Sequence, residues 1–277
     1  MFLRKTSAKL LGAVAFAGVV LAATSASALP HPWQLDMQPA ASGVMERIET
    51  FHTALVWIIS AITLFVAGLM GWIIIRYRAS ANPIPSKTHH NTILEVAWTL
   101  IPVLILVSIA IPSFRLLYFE ADMPHPDLTI EAIGKQWFWT YAYKSYGNFQ
   151  FDSLGLSDEK AKAAGEPRLL GVDNVIVVPV NKVVQVLTTG ADVIHAWTIP
   201  QFGVKIDAIP GRINSTWFKA TQTGTFYGEC SELCGARHSQ MPIEVKVVPQ
   251  AEFDAWVSNA KKKYAANAPA TEFAAAQ

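Results

Sequence analysis

The sequence predicts two transmembrane helices followed by an all-β domain. Residues 53–75 are 23 residues without a charge, and residues 96–114 form a second uncharged run of 19. Runs of this length can cross the hydrocarbon core of a bilayer. Beyond residue 126 the chain changes to short segments rich in β-branched and aromatic residues, separated by Gly, Pro, Asn and Asp. This second pattern is typical of a β-sandwich or barrel.

The composition fits one domain anchored in a membrane. The 277 residues are 52% hydrophobic and 16% charged, which is too apolar for an ordinary soluble protein of this size. The net charge of +1 gives no indication of a nucleic-acid partner. Residues 120–259 nevertheless hold 16 acidic and 11 basic residues. An acidic surface of this kind would attract a basic partner protein.

Residues 1–28 have the pattern of a cleavable secretory signal. Three basic residues lie in the first nine positions, the apolar run 10–23 follows, and the small-residue sequence Ala-Ser-Ala ends at Ala28. The alternative is a retained first transmembrane helix. Fourteen residues, many of them Ala and Gly, are too few to span a bilayer comfortably. We therefore expect cleavage after Ala28.

The remaining N-terminal half divides into four segments. A periplasmic segment 29–52 precedes transmembrane helix 53–75, a loop 76–92 follows, and the second transmembrane helix covers 93–115. The loop carries three Arg or Lys residues, and the positive-inside rule places it in the cytoplasm. Both ends of the mature chain then face the periplasm.

The all-β domain is expected over residues 126–249, and a C-terminal helix and tail over 250–277. Residues 157–167, rich in Ala, Lys and Glu, predict a surface excursion or a short helix. The predicted strands are 128–133, 137–143, 175–180, 183–188, 213–220, 223–227 and 243–248.

Twelve residues near the C-terminus hold most of the candidate metal ligands. They contain both cysteines of the chain, Cys230 and Cys234, together with His238 and Met241. His195 is the remote candidate that would complete the set. Two thiolates, imidazole nitrogens and a thioether form a soft ligand set, which suits copper better than magnesium or calcium.

Several kinds of site can be built from these residues. A mononuclear blue-copper site would leave one thiolate unused, and a zinc site would leave Met241 unused. The arrangement that uses every residue is binuclear: Cys230 and Cys234 bridge two coppers, His195 and His238 are terminal ligands, and Met241 and a backbone carbonyl are weak outer ligands. A disulfide between the cysteines is the simplest alternative. It would close a short loop with little entropic benefit, so the full spacing favours copper.

The segment Cys-Ser-Glu-Leu-Cys-Gly-Ala-Arg-His-Ser-Gln-Met resembles the CuA motif of cytochrome c oxidase subunit 2, and the likeness extends over nearly all of the chain. The resemblance implies a cupredoxin-like Greek-key β-barrel that carries two copper ions, attached to the helical hairpin. It also implies that the Glu232 carbonyl is the outer copper ligand. The Glu232 carboxylate would reach a Mg²⁺ shared with subunit 1, a hard oxygen site beside the soft one.

The function implied by the resemblance is that of an oxidase subunit in a bacterial inner membrane, with its copper domain in the periplasm. Electrons from reduced cytochrome c would pass through the copper centre to haem in subunit 1. Oxygen reduction to water and proton pumping would belong to that partner, and subunit 3 would be a further partner. The alternatives are a quinol oxidase subunit, which lacks the copper ligands, a membrane-tethered copper carrier or storage protein, and a structural β-domain with a disulfide.

Two further residues acquire roles through the resemblance. Trp137 would admit electrons, although aromatic residues in a strand usually pack in the core. Strand alternation would place Trp137 and Trp139 on one face and Phe138 on the other. Lys135 and Phe138 stand where His and Tyr are common in the family. Glu95 would mark the entrance of a proton channel in subunit 1, the alternative being a carboxylate that faces lipid headgroups.

Three aspartates match family positions implicated in cytochrome c docking. They are Asp152, Asp173 and Asp192. A surface aspartate is more often simply solvated, so these positions are expectations that depend on the resemblance alone.

Overall fold

The structure is a computed structural model that describes Leu29 and residues 33–264. The predicted signal 1–28 and residues 265–277 of the predicted tail lie outside the described residues. Residues 33–39 contain no helix or strand. The predicted fold class, two apolar helices followed by a β-sheet domain, is confirmed.

Two long helices form the N-terminal part of the described chain. Helix α1 spans Gly43–Arg76 and helix α2 spans Thr92–Ala121. Both are long and apolar enough to cross a membrane, and the most apolar window of each contains no buried residue. Side chains that point outward along such helices need lipid around them, because water would not solvate them.

Each helix starts at a capping side chain. Ser42 accepts a hydrogen bond from the backbone N–H of Met45, and Asn91 accepts one from the N–H of Leu94. Such caps satisfy amide groups that have no partner within the helix. The cap at Ser42 starts α1 well before the apolar run. The helical hairpin is therefore longer than its two predicted spans.

The domain after the hairpin consists of strands in three sheets. The strands are β1 Leu128–Lys135, β2 Phe138–Tyr143, β3 Phe149–Ser153, β4 Ile176–Pro179, β5 Val184–Gly190, β6 His195–Ile199, β7 Val204–Ala208, β8 Asn214–Phe218, β9 Gly224–Glu229 and β10 Pro242–Val248. A five-stranded sheet has the order β3-β2-β1-β5-β8, a three-stranded sheet has the order β4-β10-β9, and β6 pairs with β7. The pairs β1–β5 and β4–β10 are parallel.

Each of the seven strand predictions corresponds to an observed strand, but β3, β6 and β7 were not predicted. These three strands are only five residues long, and polar residues interrupt their apolar pattern, so pairing with neighbours decides their conformation. A short helix α3, Asp158–Ala164, lies in the predicted excursion, and helix α4, Gln250–Tyr264, follows the last strand.

The core between the sheets is strongly aromatic. Trp139 and Trp197 are at most 1% exposed, and Phe202 stacks on Phe218 with ring centroids 4.5 Å apart. Such rings remove large apolar areas from water and prefer these offset contacts. The resulting rigid core holds the ends of several strands, where the candidate site lies.

Candidate metal centre

The ligand loop is residues 230–241, which connect β9 to β10. Its two ends are joined by a hydrogen bond from the Cys230 N–H to the Met241 carbonyl, 3.0 Å. The Ser231 N–H donates to the carbonyl of Ala196 on β6 at 3.1 Å. A short 3₁₀ turn, His238–Gln240, precedes the last strand. The loop is thus held by strands on both sides.

The loop and β6 bring soft donor atoms together. The sulfur atoms of Cys230 and Cys234 are 3.8 Å apart. Nδ1 of His195 lies 3.9 Å from the Cys230 sulfur, and Nδ1 of His238 lies 3.6 Å from the Cys234 sulfur. Both cysteines are free and buried, so the structure has no disulfide at this position.

His195 is the first residue of β6 and is fully buried. No strand is predicted around this residue, but pairing with β7 extends β6 back to it, so a strand and not a loop positions the ring. The ring fits closely against Gly134, where a Cβ atom would lie 2.6 Å from Cδ2 of His195. Only glycine leaves room for the imidazole here.

Asp192 fixes the orientation of the His195 ring. Nε2–H of His195 donates to Oδ1 of Asp192 at 2.8 Å, which leaves the Nδ1 lone pair on the side of the Cys230 sulfur. Partial burial opposes ionisation of Asp192, but hydrogen bonds from His195, Val193 and Gln136 outweigh it and lower the pKa of the carboxyl. Such carboxylate–histidine pairs orient metal ligands in many proteins.

The two thiols differ in how readily they ionise. Burial opposes a thiolate at Cys230, but hydrogen bonding to His195 and to the loop backbone outweighs it and lowers the pKa of this thiol. Burial and the neighbouring Cys230 sulfur raise the pKa of Cys234. A cation between the sulfurs would compensate this repulsion and release the second proton, because thiolates are the metal-binding form.

The donor set fits copper. Metal bonds of about 2.0–2.3 Å to nitrogen and sulfur are compatible with donors 3.6–3.9 Å apart. Met241 is fully buried, and the Glu232 carbonyl lies 3.4 Å from the Cys230 sulfur. A thioether and a carbonyl are therefore available as weak outer ligands. Among the described residues, the group of His, Cys, Asp or Glu side chains close enough to share an ion is His195, Cys230 and Cys234.

The side chain of Glu232 is on the exposed part of the loop. Its carboxylate is not part of the soft cluster, and one carboxylate does not complete the oxygen shell of Mg²⁺. The predicted Mg²⁺ site would need further ligands from a partner and stays a prediction.

Trp137 contacts the ligand loop from the turn between β1 and β2. The indole Nε1–H of Trp137 and the amide Nε2–H of Gln136 both donate to the Cys234 carbonyl, at 3.2 and 2.8 Å. The expectation that Trp137 alternates with Trp139 along a strand is wrong, because the strand begins only at Phe138. Trp137 is half-buried, whereas Trp139 is fully buried with its ring 6.0 Å from that of His195.

The three predicted docking aspartates each hold local structure. Asp152 accepts a hydrogen bond from the Thr140 hydroxyl at 2.5 Å, and Asp173 accepts one from the Leu154 N–H at 2.8 Å. Asp192 binds His195, with 34% of its side chain exposed. Docking stays a prediction for all three residues. Their hydrogen bonds show that each also stabilises the local structure of the domain.

Glu95 lies in the first turn of α2, far along the helix from the β-domain. Its Oε1 accepts a hydrogen bond from the Asn91 N–H at 3.3 Å and lies 2.7 Å from Nδ1 of His90. The first contact resembles the return hydrogen bond of a capping box, with the carboxylate one position later than in that motif. The sequence interpretation missed His90, although its spacing of five residues before Glu95 is visible.

Sequence reasoning also missed Gln136 and the orienting role of Asp192. Asp192 could have been found, since it stands three residues before a candidate ligand and metal-binding histidines commonly donate their other ring N–H to a carboxylate. Gln136 could not, because its partner Cys234 is 98 residues away.

Comparison with known proteins covers both parts of the chain. The family profile described as "Cytochrome C oxidase subunit II, periplasmic domain" matches residues 128–248, and the one described as the transmembrane domain of that subunit matches residues 30–116. The chain is 46% identical over 275 residues to a probable cytochrome c oxidase subunit 2 of Rickettsia bellii, covering 99% of this chain and 100% of the relative.

Two further relatives are similar. The cytochrome c oxidase subunit 2 of Cereibacter sphaeroides is 39% identical over 280 residues, with 92% of each chain covered. The crystal structure of the periplasmic domain of subunit II of cytochrome oxidase of Bradyrhizobium japonicum is 62% identical, with a TM-score of 0.48. It covers 52% of this chain and 99% of that one.

Proposed function

The chain belongs to the cytochrome c oxidase subunit 2 family, and on that basis we propose that it is the electron-entry subunit of its oxidase. It is a membrane protein and a subunit of a haem–copper oxidoreductase complex. With two copper ions bound by the loop and His195, the chain would take single electrons from reduced cytochrome c and deliver them to haem in subunit 1. Subunit 1 would reduce oxygen to water and pump protons, with subunit 3 as a further partner.

The observation that carries this proposal is the pair of free, buried thiols 3.8 Å apart, each with an imidazole Nδ1 beside it. A bridged copper pair bound there would supply a one-electron redox centre. The residues Cys230, Cys234, His195 and His238 would hold it, with Met241 and the Glu232 carbonyl as outer ligands.

The surrounding residues restrict movement of the ligands. Gly134 and Asp192 fix the His195 ring, while backbone hydrogen bonds fix both ends of the loop. Ligands held in this way change position little between oxidation states. Because electron transfer is slowed by structural rearrangement, such a framework favours rapid transfer.

Trp137 is the proposed point of electron entry. Its indole donates directly to the carbonyl of the ligand residue Cys234, and the side chain is half-buried. One edge of the ring is therefore in contact with the ligand loop while another part remains accessible to a docked protein. Asp152, Asp173 and Asp192 would attract the basic surface of cytochrome c by charge.

The proposed location is a bacterial inner membrane with the copper domain 126–249 in the periplasm. Residues 1–28 would be removed as a signal, 53–75 and 93–115 would cross the bilayer, and the loop 76–92 would be cytoplasmic. The segments 29–52 and 250–277 would then lie on the periplasmic side.

Two roles concern the interface with subunit 1. Glu95, paired with His90 at the start of α2, would receive protons at the cytoplasmic mouth of a channel in that subunit. The Glu232 carboxylate would contribute to a Mg²⁺ site completed by subunit 1. Both roles depend on family membership for support.

The test is electron input into the assembled oxidase. We expect Trp137→Phe, which removes the indole N–H, to slow oxidation of reduced cytochrome c while the copper content stays at two per chain. Trp256→Phe, on helix α4, is the matched control and should react at the wild-type rate. Stopped-flow absorbance and metal analysis provide both readouts.

Two outcomes would contradict the proposal. A wild-type chain that delivers copper to an acceptor protein without oxidising cytochrome c would support the copper-carrier alternative. An unchanged rate of cytochrome c oxidation in Trp137→Phe would exclude Trp137 as the entry point, but it would not contradict the proposed metal centre.

A further inference from the structure

The β-domain is attached to the helical hairpin by a layered contact of three side chains from three elements. The guanidinium carbon of Arg47 on α1 lies 3.7 Å from the ring centroid of Phe119 on α2. Phe119 meets Trp217 on β8 edge to face, with centroids 5.7 Å apart. The Trp217 indole Nε1–H donates to the Glu120 carbonyl at 3.0 Å. Cation–π, aromatic and hydrogen-bond contacts therefore converge where the hairpin meets the domain.

A second attachment lies at the start of α1. The Ser42 hydroxyl, which caps this helix, also donates to the Phe202 carbonyl at 2.7 Å. The Ala41 N–H donates to the Gln201 carbonyl, and the Ala41 carbonyl accepts from Thr221. Gly203 has a left-handed φ of 68°, and a Cβ atom there would lie 3.2 Å from Cα of Met45. The helix and the domain backbone therefore approach closely.

Both attachments are connected through packed residues to β6, the strand that carries His195. Phe202 is the last residue of the 3₁₀ turn Pro200–Phe202, which follows β6 directly, and β6 begins at His195. Phe202 stacks on Phe218, which is the neighbour of Trp217 on β8. A displacement of the domain on the hairpin would therefore move the metal ligands with it as one body.

We propose that Arg47, Phe119 and Trp217, with Ser42, form a joint that fixes the orientation of the metal-binding domain on its membrane helices. These are positioning residues, and they contact neither the metal ligands nor a substrate. The peptide 122–127 that links α2 to β1 contains no helix or strand, so it would not prevent pivoting by itself. The inference rests on the proposed function for its consequence, which is a constant distance from the copper ligands to the electron acceptor in subunit 1.

The test uses the assembled oxidase with three variants. Trp217→Phe keeps an aromatic side chain but replaces the indole, with its N–H donor, by a smaller phenyl ring. Arg47→Ala removes the cation, and the double variant makes both changes. Trp256→Phe, a tryptophan of α4 away from the joint, is the control. Hydrogen exchange of the Ala41 and Thr221 amides, whose hydrogen bonds join the start of α1 to the domain, reports pivoting. The copper electron spin resonance spectrum reports the ligands, and flash-initiated transfer from copper to haem reports the distance.

We expect exchange of these two amides to accelerate about 3–10-fold in each single variant, the factor that corresponds to losing one such contact, and by more in the double variant. Transfer to haem should slow by a similar factor of about 3–10, with a smaller change in Trp217→Phe. The copper spectrum should stay unchanged. Faster exchange with unchanged transfer would show a contact of structural importance only and would overturn the positioning role, as would unchanged exchange. A wild-type chain without the binuclear spectrum would instead reject the proposed function, while the exchange would still report on the joint.

Discussion

The helical hairpin and the β-domain place the same types of side chain in opposite positions. In the β-domain, Trp197 and Phe218 are 1% exposed, whereas Phe65 on α1 is 65% exposed and Leu104 on α2 is 58% exposed. The difference follows from the solvent, since lipid accepts apolar side chains that water rejects. Only the β-domain has an interior of its own, and there the candidate metal donors are buried and held.

The largest expected effect is a loss of stability when a side chain is removed from the interior of the β-domain. Phe218→Ala removes a ring stacked on Phe202 at 4.5 Å and should lower the free energy of unfolding of the domain by about 3–5 kcal/mol, because it leaves a cavity. Denaturant unfolding followed by tryptophan fluorescence measures this change. Phe65→Ala is the matched control in the hairpin and should leave domain unfolding unchanged. Equal losses in both variants would contradict the distinction between the two regions.

The next effect compares a charged residue introduced into a membrane helix with one introduced on the surface of the β-domain. Leu104→Lys places an ammonium group in the middle of α2, which should cost about 2.5–3.5 kcal/mol of membrane insertion. Ile213→Lys changes a β-domain residue of similar exposure, 64%, and should be tolerated because the site faces water. The membrane-integrated fraction of each variant gives the comparison. Efficient insertion of Leu104→Lys would argue against α2 as a spanning helix.

A smaller effect concerns the orientation of His195. Asp192→Asn replaces the carboxylate that accepts from Nε2 of His195. It should weaken copper binding about 10–100-fold, the usual effect of removing the hydrogen-bond partner of a metal-binding histidine. Competition with a copper chelator measures the affinity. Asp152→Asn is the control: it should keep copper affinity and change only the salt dependence of the reaction with cytochrome c. Unaltered copper affinity in Asp192→Asn would exclude a role of Asp192 in orienting His195 and would leave docking as its only proposed role.

The smallest expected effect is a pH dependence of the β-domain. Burial raises the pKa of Glu244, and the hydrogen bond from the Val172 N–H opposes this rise. With a smaller contribution from the nearby Glu166 carboxylate, the pKa is raised to about 7. The folded state therefore keeps this proton up to pH 7, while an unfolded glutamate loses it near pH ~4.3. The stability that the protonated group contributes is present below pH ~4.3 and is lost as the pH rises to about 7.

Glu244→Gln should remove the loss of stability that accompanies ionisation of Glu244 at high pH. We expect the variant to be about 1–2 kcal/mol more stable than the wild type at pH 8 and nearly equal at pH 4. Thermal unfolding at the two pH values measures the difference. The same gain at both pH values would show that ionisation of Glu244 is not the cause. Glu252→Gln, on an exposed carboxylate, is the control without a pH-dependent gain.

The two regions also differ in how far the sequence predicts them. The hairpin follows from a local property, because uncharged runs of sufficient length have few alternatives to a membrane helix. The ligand loop was predictable since Cys230, Cys234, His238 and Met241 lie within twelve residues. Their positions on one short loop restrict the possible sites to a few.

The features that the sequence did not predict depend on contacts between distant residues. Strand β6 forms by pairing with β7, and the Gln136 N–H meets Asp192 across 56 residues of sequence. The Trp217 indole meets the Glu120 carbonyl across 97. No local pattern encodes such pairs, because each depends on how the sheets and helices pack together.

The binuclear copper centre is tested most directly by the metal content and electron spin resonance spectrum of the purified full chain after loading with copper. We expect two copper ions per chain that share one unpaired electron, and the loss of this signal in Cys234→Ser. A single copper with an ordinary mononuclear spectrum, or a chain that binds none and carries a Cys230–Cys234 disulfide, would contradict it.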